Sequence, residues 1–317
     1  MKKNILLTGA TGFLGSHVLA ALVQRGYHVI ALKRSYSNTQ RINNLLNDIL
    51  IYDVDKIEIN KIFSDNPIDI VIHTATEYGN KTKNSLFDIV KTNILFPFNI
   101  LENSIQKNVR CFINTDTFFS KGNIDYSYLA AYSLSKRHFH DWLKLIQFES
   151  STSVVNMVIH HVYGPGDNPH KFTSSLLHAF LRNDRRIPMT LGEQKRDFIH
   201  VHDVVGAYML LVEKADELPA HVQFDVGSGQ ATSIKDFALI LKKKVELVLS
   251  RSVPSTLCFG ELPYREGEPM CTLADVTDLR NIGWDPTLSL EQGVEEMVKK
   301  EFIMFAQALK VNSIAGF

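Results

Sequence analysis

The sequence contains few cysteines and carries no net charge, and each of these absences excludes a class of protein. The three cysteines among its 317 residues, Cys111, Cys258 and Cys271, are too few and too widely spaced for a disulfide framework or a cysteine-based metal site. Thirty-four basic residues balance thirty-four acidic ones, so no excess of positive charge favours nucleic acid or an anionic membrane surface. We therefore expect no metal and no nucleic-acid partner, and any phosphate-bearing ligand should be small.

Long apolar runs are also missing, since no stretch is long enough to span a bilayer. The apolar start after Met1-Lys2-Lys3 is similar to the beginning of a signal peptide, but the glycine-rich residues 8–15 interrupt it before a translocatable core is complete. The scattered thiols suit a reducing compartment. These features predict a soluble cytoplasmic protein without a membrane partner.

Apolar residues, at 45% of the chain, are numerous enough for a large core. Strand-like apolar runs alternate with helical patterns, which is typical of a doubly wound parallel sheet. The predicted strands are Asn4 to Leu7, His28 to Leu32, Ile49 to Tyr52, Ile68 to His73, Cys111 to Thr115 and Val154 to His160. The predicted helices are Ser16 to Arg25, Asp88 to Gln106, Tyr132 to Phe148, Lys171 to Leu181 and Val204 to Glu213.

The alternation breaks after Pro165 into loops rich in Gly, Pro, Asp and Asn, which indicates a second domain. The strand-like residues His221 to Val226 are predicted to return to the main sheet, so the two domains should interleave. We predict an α/β fold: a Rossmann-type doubly wound parallel sheet with a smaller, interleaved C-terminal α/β substrate domain. The predicted bounds are 1–160 plus about 201–226 for the dinucleotide-binding domain, and 161–200 with 227–317 for the substrate domain.

A glycine-rich turn after the first strand carries the strongest functional signal. Glycines between a buried strand and a helix let the chain turn tightly and bring bare N–H groups against a pyrophosphate at the helix N-terminus. The alternative is an ordinary glycine-containing turn that joins a strand to a helix and binds no ligand. The residues predicted to contact a dinucleotide here are Gly9, Thr11, Gly12, Phe13 and Leu14, with Gly15 completing the turn.

The end of the second strand indicates which dinucleotide is bound. A carboxylate there would accept hydrogen bonds from the ribose 2′-hydroxyl of NAD, whereas Lys33-Arg34-Ser35 suits the 2′-phosphate of NADP. A solvated basic loop is the alternative. Asp53, followed by Val54, can bind the adenine amino group or cap the next helix.

The fourth strand is followed by small residues, which let a nicotinamide and its ribose lie against the chain. We predict cofactor contacts from Thr74, Ala75 and Thr76, and a structural role for His73.

A tyrosine and a lysine four residues apart form the predicted catalytic pair. Residues at this spacing lie on one face of a helix, so the Lys136 ammonium should lie near the Tyr132 phenol and lower its pKa from about 10. Tyr132 would then act as proton donor and acceptor. We also expect Lys136 to bind the nicotinamide ribose, with Tyr132 in contact with the cofactor. Thr115, at the end of the preceding strand, is predicted to hydrogen-bond the reacting oxygen. Alternatively, its hydroxyl hydrogen-bonds nearby backbone groups at the end of the strand.

Taken together, these residues resemble the extended short-chain dehydrogenase/reductases, a family that modifies nucleotide-activated sugars. The resemblance is carried by residues 8–15, Thr115, Tyr132 and Lys136, and then by the stretches 162–167, 196–204, 225–229 and 282–286. It covers nearly the whole chain. It implies that the second domain binds a nucleoside diphosphate-sugar and that two long helices form a homodimer. Apolar residues that could supply this interface are Phe87, Val90, Phe139, Trp142 and Leu145, and packing against their own sheet is the alternative.

The resemblance also implies roles for single residues. Asn93 matches a helix asparagine that holds the active-site backbone and its proton relay, a solvent-facing asparagine being the alternative. Arg196 and Arg265 match arginines that contact the nucleotide end, although either equally suits a surface salt bridge. His161 stands where many relatives have an asparagine facing the sugar, and we expect it near the cofactor.

Further contacts are expected around the sugar. Thr117, Lys171 and Phe172 are the predicted substrate-binding residues, and Tyr78 and Tyr264 are additional candidates for the pocket wall. Each is equally compatible with ordinary loop or core packing.

The two residues after Thr115 narrow the choice of reaction. Family members that dehydrate the sugar carry Asp and then Glu there, whereas this chain has Asp116 and then Thr117, and a hydroxyl cannot replace that carboxylate as a base. The stretches 114–119 and 166–172 resemble the CDP-4-keto-3,6-dideoxyhexose reductases of O-antigen sugar synthesis. We expect NADPH-dependent reduction of a 4-keto-sugar. An NAD-dependent nucleotide-sugar epimerase and a non-catalytic dinucleotide-sensing protein are the alternatives.

Overall fold

The structure, a computed structural model of the protein, describes residues 2–79, 86–121, 128–146 and 150–314. Its strands are β1 (Asn4–Thr8), β2 (His28–Lys33), β3 (Leu50–Asp53), β4 (Ile70–His73), β5 (Cys111–Thr117), β6 (Ser153–Ile159), β7 (His161–Tyr163), β8 (Arg186–Met189), β9 (Lys195–His200), β10 (His221–Val226), β11 (Ala231–Ser233) and β12 (Thr256–Phe259). The predicted strands agree with these bounds to within two residues.

The described α-helices are α1 (Phe13–Gln24), α2 (Ile59–Asp65), α3 (Leu86–Val90), α4 (Phe96–Gln106), α5 (Ala130–Ile146), α6 (Phe172–Leu181), α7 (Val201–Glu213), α8 (Ile234–Leu249), α9 (Thr277–Asn281) and α10 (Leu290–Ile314). A π-helical turn over Lys91–Leu95 joins α3 to α4, so the long helix predicted from Asp88 to Gln106 contains a widened turn. Phe148, the predicted end of α5, lies outside the described residues.

The chain divides into two compact units. The first comprises Met1–Ile159, Val204–Val226 and Asp275–Trp284, and the second comprises His160–Asp203, Gly227–Ala274 and Asp285–Phe317. The predicted bounds differ from these at residues 275–284, which were expected in the second domain. They join the first unit because α9 packs against β10 and buries Val276, Leu279 and Trp284.

The first unit is built on a parallel sheet of seven strands in the order β10-β6-β5-β4-β1-β2-β3. Its central strands β1 and β4 are mostly apolar and are buried from Ile5 to Thr8 and from Ile70 to His73, as strands covered on both faces are. β10 pairs in parallel with β6, which confirms the predicted return of residues 221–226 to the main sheet. The predicted α/β, Rossmann-type fold class is confirmed.

The core of the first unit decides which face of α5 points inward. Phe139 is 1% exposed and packs with Phe112 and Phe98, so for this residue the alternative of packing against its own sheet holds and the apolar-surface expectation does not. Trp142, three residues further on, is half-exposed. Helical spacing makes these two side chains neighbours, and only packing against the sheet separates their roles.

The second unit has a smaller core between short sheets and helices. β11, β9 and β7 form one sheet, and β12 pairs with β8. Phe180, Phe237 and Leu241 are fully buried within this core. The Ser233 side chain begins α8 by accepting a hydrogen bond from the Asp236 N–H at 2.9 Å.

Within the described residues, every helix is too short or too polar to cross a membrane. The three cysteines are free thiols, with Cys111 buried, Cys258 half-buried and Cys271 exposed.

Candidate active site

The turn between β1 and α1 brings its backbone close to the end of β4. Gly9 has φ +71°, and a Cβ added there would lie 2.6 Å from the Ala75 nitrogen. A Cβ on Gly15 would lie 2.1 Å from the Gly9 carbonyl oxygen. The Gly12 N–H closes the turn by donating to the same oxygen at 2.9 Å. Only glycine fits at these two positions, so the predicted narrow cradle at the start of α1 is present, with Thr11, Phe13 and Leu14 beside it.

The ends of β2 and β3 bring the predicted adenosine-side residues together. The Ser35 hydroxyl donates to Asp53 at 2.7 Å, and the Lys33 ammonium lies 3.8 Å from the same carboxylate. The Ser35 hydrogen bond is the largest influence that lowers the pKa of Asp53. The Arg34 guanidinium lies 4.7 Å from the centre of the Tyr36 ring, and the Val54 N–H donates to the Lys33 carbonyl. A carboxylate therefore stands beside the basic residues that were predicted to receive a 2′-phosphate.

The residues after β4 are fixed to β1 and to the π-helical turn. The Thr74 hydroxyl donates to the Thr8 carbonyl at 2.8 Å, and the Ala75 N–H donates to the Thr8 hydroxyl at 3.2 Å. The Thr76 hydroxyl donates to Asn93 at 3.3 Å. These three residues line the same turn as the glycines, in agreement with their predicted position.

Asn93 lies at the centre of the π-helical turn and holds the segment that comes after β4. Its Oδ1 accepts from the Glu77 N–H at 2.7 Å, and its Nδ2 donates to the Glu77 carbonyl at 2.8 Å and to the Ser135 hydroxyl at 2.9 Å. The side chain is 1% exposed. The predicted role in holding the active-site backbone agrees with these contacts, and the solvent-facing alternative does not. A π-helical turn at such a position is common at functional sites.

The predicted catalytic pair projects from the first two turns of α5 and is buried. The Lys136 ammonium donates to the Thr115 backbone carbonyl at 2.8 Å. Burial lowers the pKa of Lys136 to about 8, and the negative charge of Asp116 opposes that shift. The ring of Tyr132 lies 4.7 Å, centre to centre, from the ring of Tyr78.

Burial also controls the phenol, and it acts against the sequence expectation. Burial, followed by the neighbouring Tyr78 phenol, raises the pKa of Tyr132 well above its ordinary value. A hydrogen bond with Thr117 acts in the opposite direction. The predicted lowering of this pKa by Lys136 is therefore wrong for the structure described, because the ammonium is engaged by a carbonyl oxygen and the phenol has lost its water.

The hydroxyl beside Tyr132 belongs to Thr117 and not to Thr115. Both threonines point to one side of β5, since alternate residues of a strand share a face. The Thr115 hydroxyl instead pairs with the Tyr208 phenol at 2.5 Å. Tyr208 is buried in α7. The sequence does not indicate its contact with Thr115, because a tyrosine in an amphipathic helix is ordinarily a core residue. The predicted hydrogen bond from Thr115 to the reacting oxygen stays a prediction, and Thr117 is a second hydroxyl that could make it.

Asp116 is a buried carboxylate that supports this end of β5. It accepts hydrogen bonds from the Thr117 N–H at 2.7 Å, from Asn156 at 2.9 Å and from Ser120 at 3.1 Å. Asn156 in turn accepts from Asn114 at 2.7 Å. The carboxylate is satisfied by these donors and fixes the backbone on which Thr117 stands.

In the second unit, the predicted arginines meet an acidic loop. Arg196 is 6% exposed and donates to Glu268 at 2.7 Å and to the Pro269 carbonyl at 2.7 Å. The Arg265 N–H donates to the same glutamate at 3.3 Å. The two predicted nucleotide-binding arginines are therefore brought together by Glu268.

The remaining second-unit candidates lie in separate contacts. His161 starts β7, and its ring centre lies 5.8 Å from that of Phe198; burial holds the pKa of His161 well below its ordinary value. The Lys171 ammonium lies 3.1 Å from Asp167. Phe172 is partly exposed at the start of α6. Their predicted ligand contacts stay predictions.

One group of metal-ligand side chains comes together among the described residues. His200, His202 and Glu296 offer ligand atoms within 4.8 Å of one another. Glu296 already forms an ion pair with Lys300 at 2.6 Å. The expectation of no metal site stays a prediction.

Known proteins resemble this chain in sequence and in fold. The NAD dependent epimerase/dehydratase family model matches residues 5–227. A CDP-abequose synthase from Salmonella typhimurium is 34% identical over 95% of this chain and 99% of its own length. The crystal structure of UDP-glucose 4-epimerase with UDP-glucose from Thermotoga maritima superposes with a TM-score of 0.80 and 26% identity, covering 96% of this chain and 99% of that one. A structure of MoeE5 with UDP-glucose and NAD has a TM-score of 0.78 and 23% identity, covering 95% of this chain and 99% of that one.

These similarities support an oxidoreductase-type enzyme with a nicotinamide dinucleotide cofactor and a nucleotide sugar as its substrate class. The chain belongs to the NAD dependent epimerase/dehydratase family.

Proposed function

We propose that this protein reduces the 4-keto group of a nucleoside diphosphate-linked deoxy-keto-sugar with NADPH. The observation that carries the proposal is the buried Tyr132 and Lys136 pair in a chain 34% identical to a CDP-abequose synthase. That similarity, together with the sequence at residues 114–119 and 166–172, favours a CDP-4-keto-3,6-dideoxyhexose of O-antigen synthesis as the substrate.

The first unit has the residues to hold the dinucleotide. The turn containing Gly9, Gly12 and Gly15 is too tight for side chains and presents N–H groups at the start of α1, which suits a pyrophosphate. Thr74 to Thr76 would face the nicotinamide side, and Lys33 to Ser35 the adenosine side. When bound, the reduced nicotinamide supplies the hydride.

The chain's own residues then handle the proton and the oxygen. Tyr132 donates its proton to the oxygen that develops negative charge at C4. Thr117, which hydrogen-bonds with Tyr132, orients that oxygen. The buried Lys136 ammonium adds positive charge beside the site, and its loss of hydration strengthens that effect.

We further propose that the second unit binds the nucleoside diphosphate. Arg196 on β9 holds its guanidinium against Glu268, and Arg265 lies in the loop that carries that glutamate; guanidinium groups are the chemistry that a diphosphate requires. Glu268, which accepts from the Arg196 guanidinium and from the Arg265 backbone N–H, would have to release that guanidinium to the ligand.

A specific observation favours NAD-dependent epimerisation as the second candidate. The Asp53 carboxylate lies beside Lys33 and Ser35, and a negative charge there suits a ribose hydroxyl better than a phosphate. An epimerase returns its hydride to the same carbon and retains NAD, whereas a reductase exchanges its cofactor at each turnover.

Two broader features belong to the same proposal. We propose a homodimer formed through α3, the π-helical turn and α5, where apolar side chains are exposed. We also propose a cytoplasmic location, which the three free thiols support.

Purified protein offered several 4-keto-6-deoxy nucleotide sugars tests the proposal. With the CDP-linked 3,6-dideoxy substrate we expect NADPH absorbance to fall and one C4 alcohol to form. Tyr132→Phe should lose about 100-fold or more in turnover while still binding NADPH. Protein that arrives with bound NAD and interconverts sugars without consuming NADPH would instead be the epimerase.

A further inference from the structure

Net reduction makes a demand that epimerisation does not. Each turnover adds one hydride and one proton to the carbonyl, so the acid must be reprotonated from water before the next. Tyr132 is 5% exposed and Lys136 is 3% exposed, so neither meets bulk solvent directly. A hydroxyl that reaches the protein surface would shorten the path of that proton, and because only net reduction requires this supply, the inference rests on the proposed reductase activity.

Asn93 is poorly suited to carry that proton. An asparagine side chain offers two N–H donors and an oxygen with two acceptor sites. Within the described residues both donors are used, by Glu77 and Ser135, and the oxygen accepts from Glu77 and Thr76. The side chain is thus committed to holding the backbone.

Tyr78 lies where such a route would begin. Its ring centre is 4.7 Å from that of Tyr132, with the planes inclined at 36°, and the two phenols are hydrogen-bonded. Tyr132 is enclosed, whereas Tyr78 is 46% exposed. One side chain therefore joins the buried acid to the protein surface.

The backbone holds Tyr78 in this position from both sides. Asn93 binds the N–H and the carbonyl of Glu77, and the Glu77 carboxylate accepts from the Gly79 N–H at 3.0 Å. Gly79 has φ +78°, and a Cβ there would lie 2.8 Å from Ile89 Cδ1. These contacts fix the backbone on both sides of Tyr78, while its ring lies against Tyr132.

We propose that Tyr78 is a proton relay that returns a proton from solvent to Tyr132 after each reduction. Tyr132 first gives its proton to the C4 oxygen and becomes a phenolate. The Tyr78 O–H bond then breaks as its proton moves to the Tyr132 oxygen, and a water or buffer acid protonates Tyr78. The sum is one proton taken from solvent per carbonyl reduced. Tyr78 acts through Tyr132, so it is a positioning and relay residue and not a catalytic one.

Tyr78→Phe tests this directly, because it keeps the ring and removes only the hydroxyl. We expect kcat to fall about tenfold with KM for both substrates unchanged, and an added small acid such as imidazolium to restore much of the loss. Tyr78→His, which again carries a titrating proton, should recover turnover. Tyr27→Phe is the matched control, since Tyr27 precedes β2 at the opposite edge of the sheet and should change nothing.

A second measurement is independent of turnover. Tyr78 raises the pKa of Tyr132, as does Asp116, while Thr117 lowers it. NMR titration of isotope-labelled tyrosine, assigned with Tyr132→Phe, should therefore show a lower Tyr132 pKa in Tyr78→Phe. A merely structural side chain at position 78 would not produce buffer rescue and this shift together.

The outcomes separate the relay from the reductase. If wild-type protein reduces the keto-sugar while Tyr78→Phe keeps full kcat, or raises only KM, the relay is wrong and the reductase stands. A fall in kcat that imidazolium and Tyr78→His both fail to repair also overturns the relay. If wild-type protein oxidises no NADPH with any keto-sugar, the proposed function fails and the relay fails with it.

Discussion

At the scale of single residues, burial decides how titratable groups behave in this protein. His73 is 1% exposed, its Nδ1 lies 2.8 Å from the Thr8 hydroxyl, and its ring packs with Phe96, Phe112 and Phe139. Burial, followed by the positive charge of Lys136, holds the pKa of His73 well below its ordinary value. The sequence analysis predicted a structural histidine here, and these contacts fit that role.

His73 should make the free energy of unfolding depend on pH. Below about pH 6.5 the unfolded chain takes up a proton at this residue and the folded chain does not. The free energy of unfolding therefore decreases as the pH is lowered below about 6.5 and does not change with pH above it. Between pH 7.5 and 5.5 His73 alone should account for at most about 1.4 kcal/mol. Urea unfolding at both pH values should show this much less pH dependence in His73→Gln than in the wild type. An equal loss in the two proteins would contradict the assignment.

Cofactor choice is also a single-residue question, because Asp53 lies beside the lysine and the serine that would bind a 2′-phosphate. Asp53→Asn removes a negative charge and should raise affinity for NADPH relative to NADH about fivefold, the scale of a partly exposed ion pair. Lys33→Ala should change the ratio in the opposite direction. Fluorescence titration with both cofactors measures the ratio, and an unchanged ratio in both variants would remove this site from cofactor selection.

At the scale of elements, β5 shows how much the sequence could determine. Apolar runs and the glycine turn depend on local pattern, so the strands and the pyrophosphate cradle were predictable. The partner of each hydroxyl depends on residues that are distant in sequence. Thr115 hydrogen-bonds with Tyr208, and Thr117 hydrogen-bonds with Tyr132. The direction of the Tyr132 pKa shift could not be predicted either. Residue spacing shows that Lys136 is near, but it does not show that burial has the largest effect on the pKa of the phenol.

Replacing each of the two β5 threonines by valine should therefore have different effects on turnover and on the free energy of unfolding. Thr117→Val removes a hydrogen bond from Tyr132 and should lower turnover about tenfold with little loss of stability. Thr115→Val leaves the buried Tyr208 hydroxyl without its partner, which should cost about 1–3 kcal/mol in unfolding free energy while turnover stays within a few-fold. Steady-state kinetics and urea unfolding of both variants decide the matter. The opposite pattern would return the substrate-orienting role to Thr115.

At the scale of the whole molecule, the first unit leaves an apolar surface exposed on α3, the π-helical turn and α5. Its members are each at least 40% exposed, and they are Leu86, Phe87, Val90, Leu95, Leu134, Trp142 and Leu145. Isolated exposed apolar residues are ordinary, but a continuous patch on packed helices is typical of an interface. Sequence alone could not define this surface, because α5 is apolar on more than one side and Phe139 belongs to the core.

Trp142 offers the sharpest test of this surface. Its ring packs edge-on against Phe98 at 5.3 Å, while half of the side chain is exposed. In the proposed dimer that exposed half is buried against the partner, so Trp142→Glu would place an unpaired carboxylate in an apolar interface at a cost of several kcal/mol. Sedimentation should then show a dimer for the wild type and a monomer for Trp142→Glu. Leu247→Glu, on an exposed part of α8, should remain dimeric, since that helix lies outside the proposed interface. A wild-type monomer, or a dimer that survives in Trp142→Glu, would mean that this apolar face is not where two copies meet.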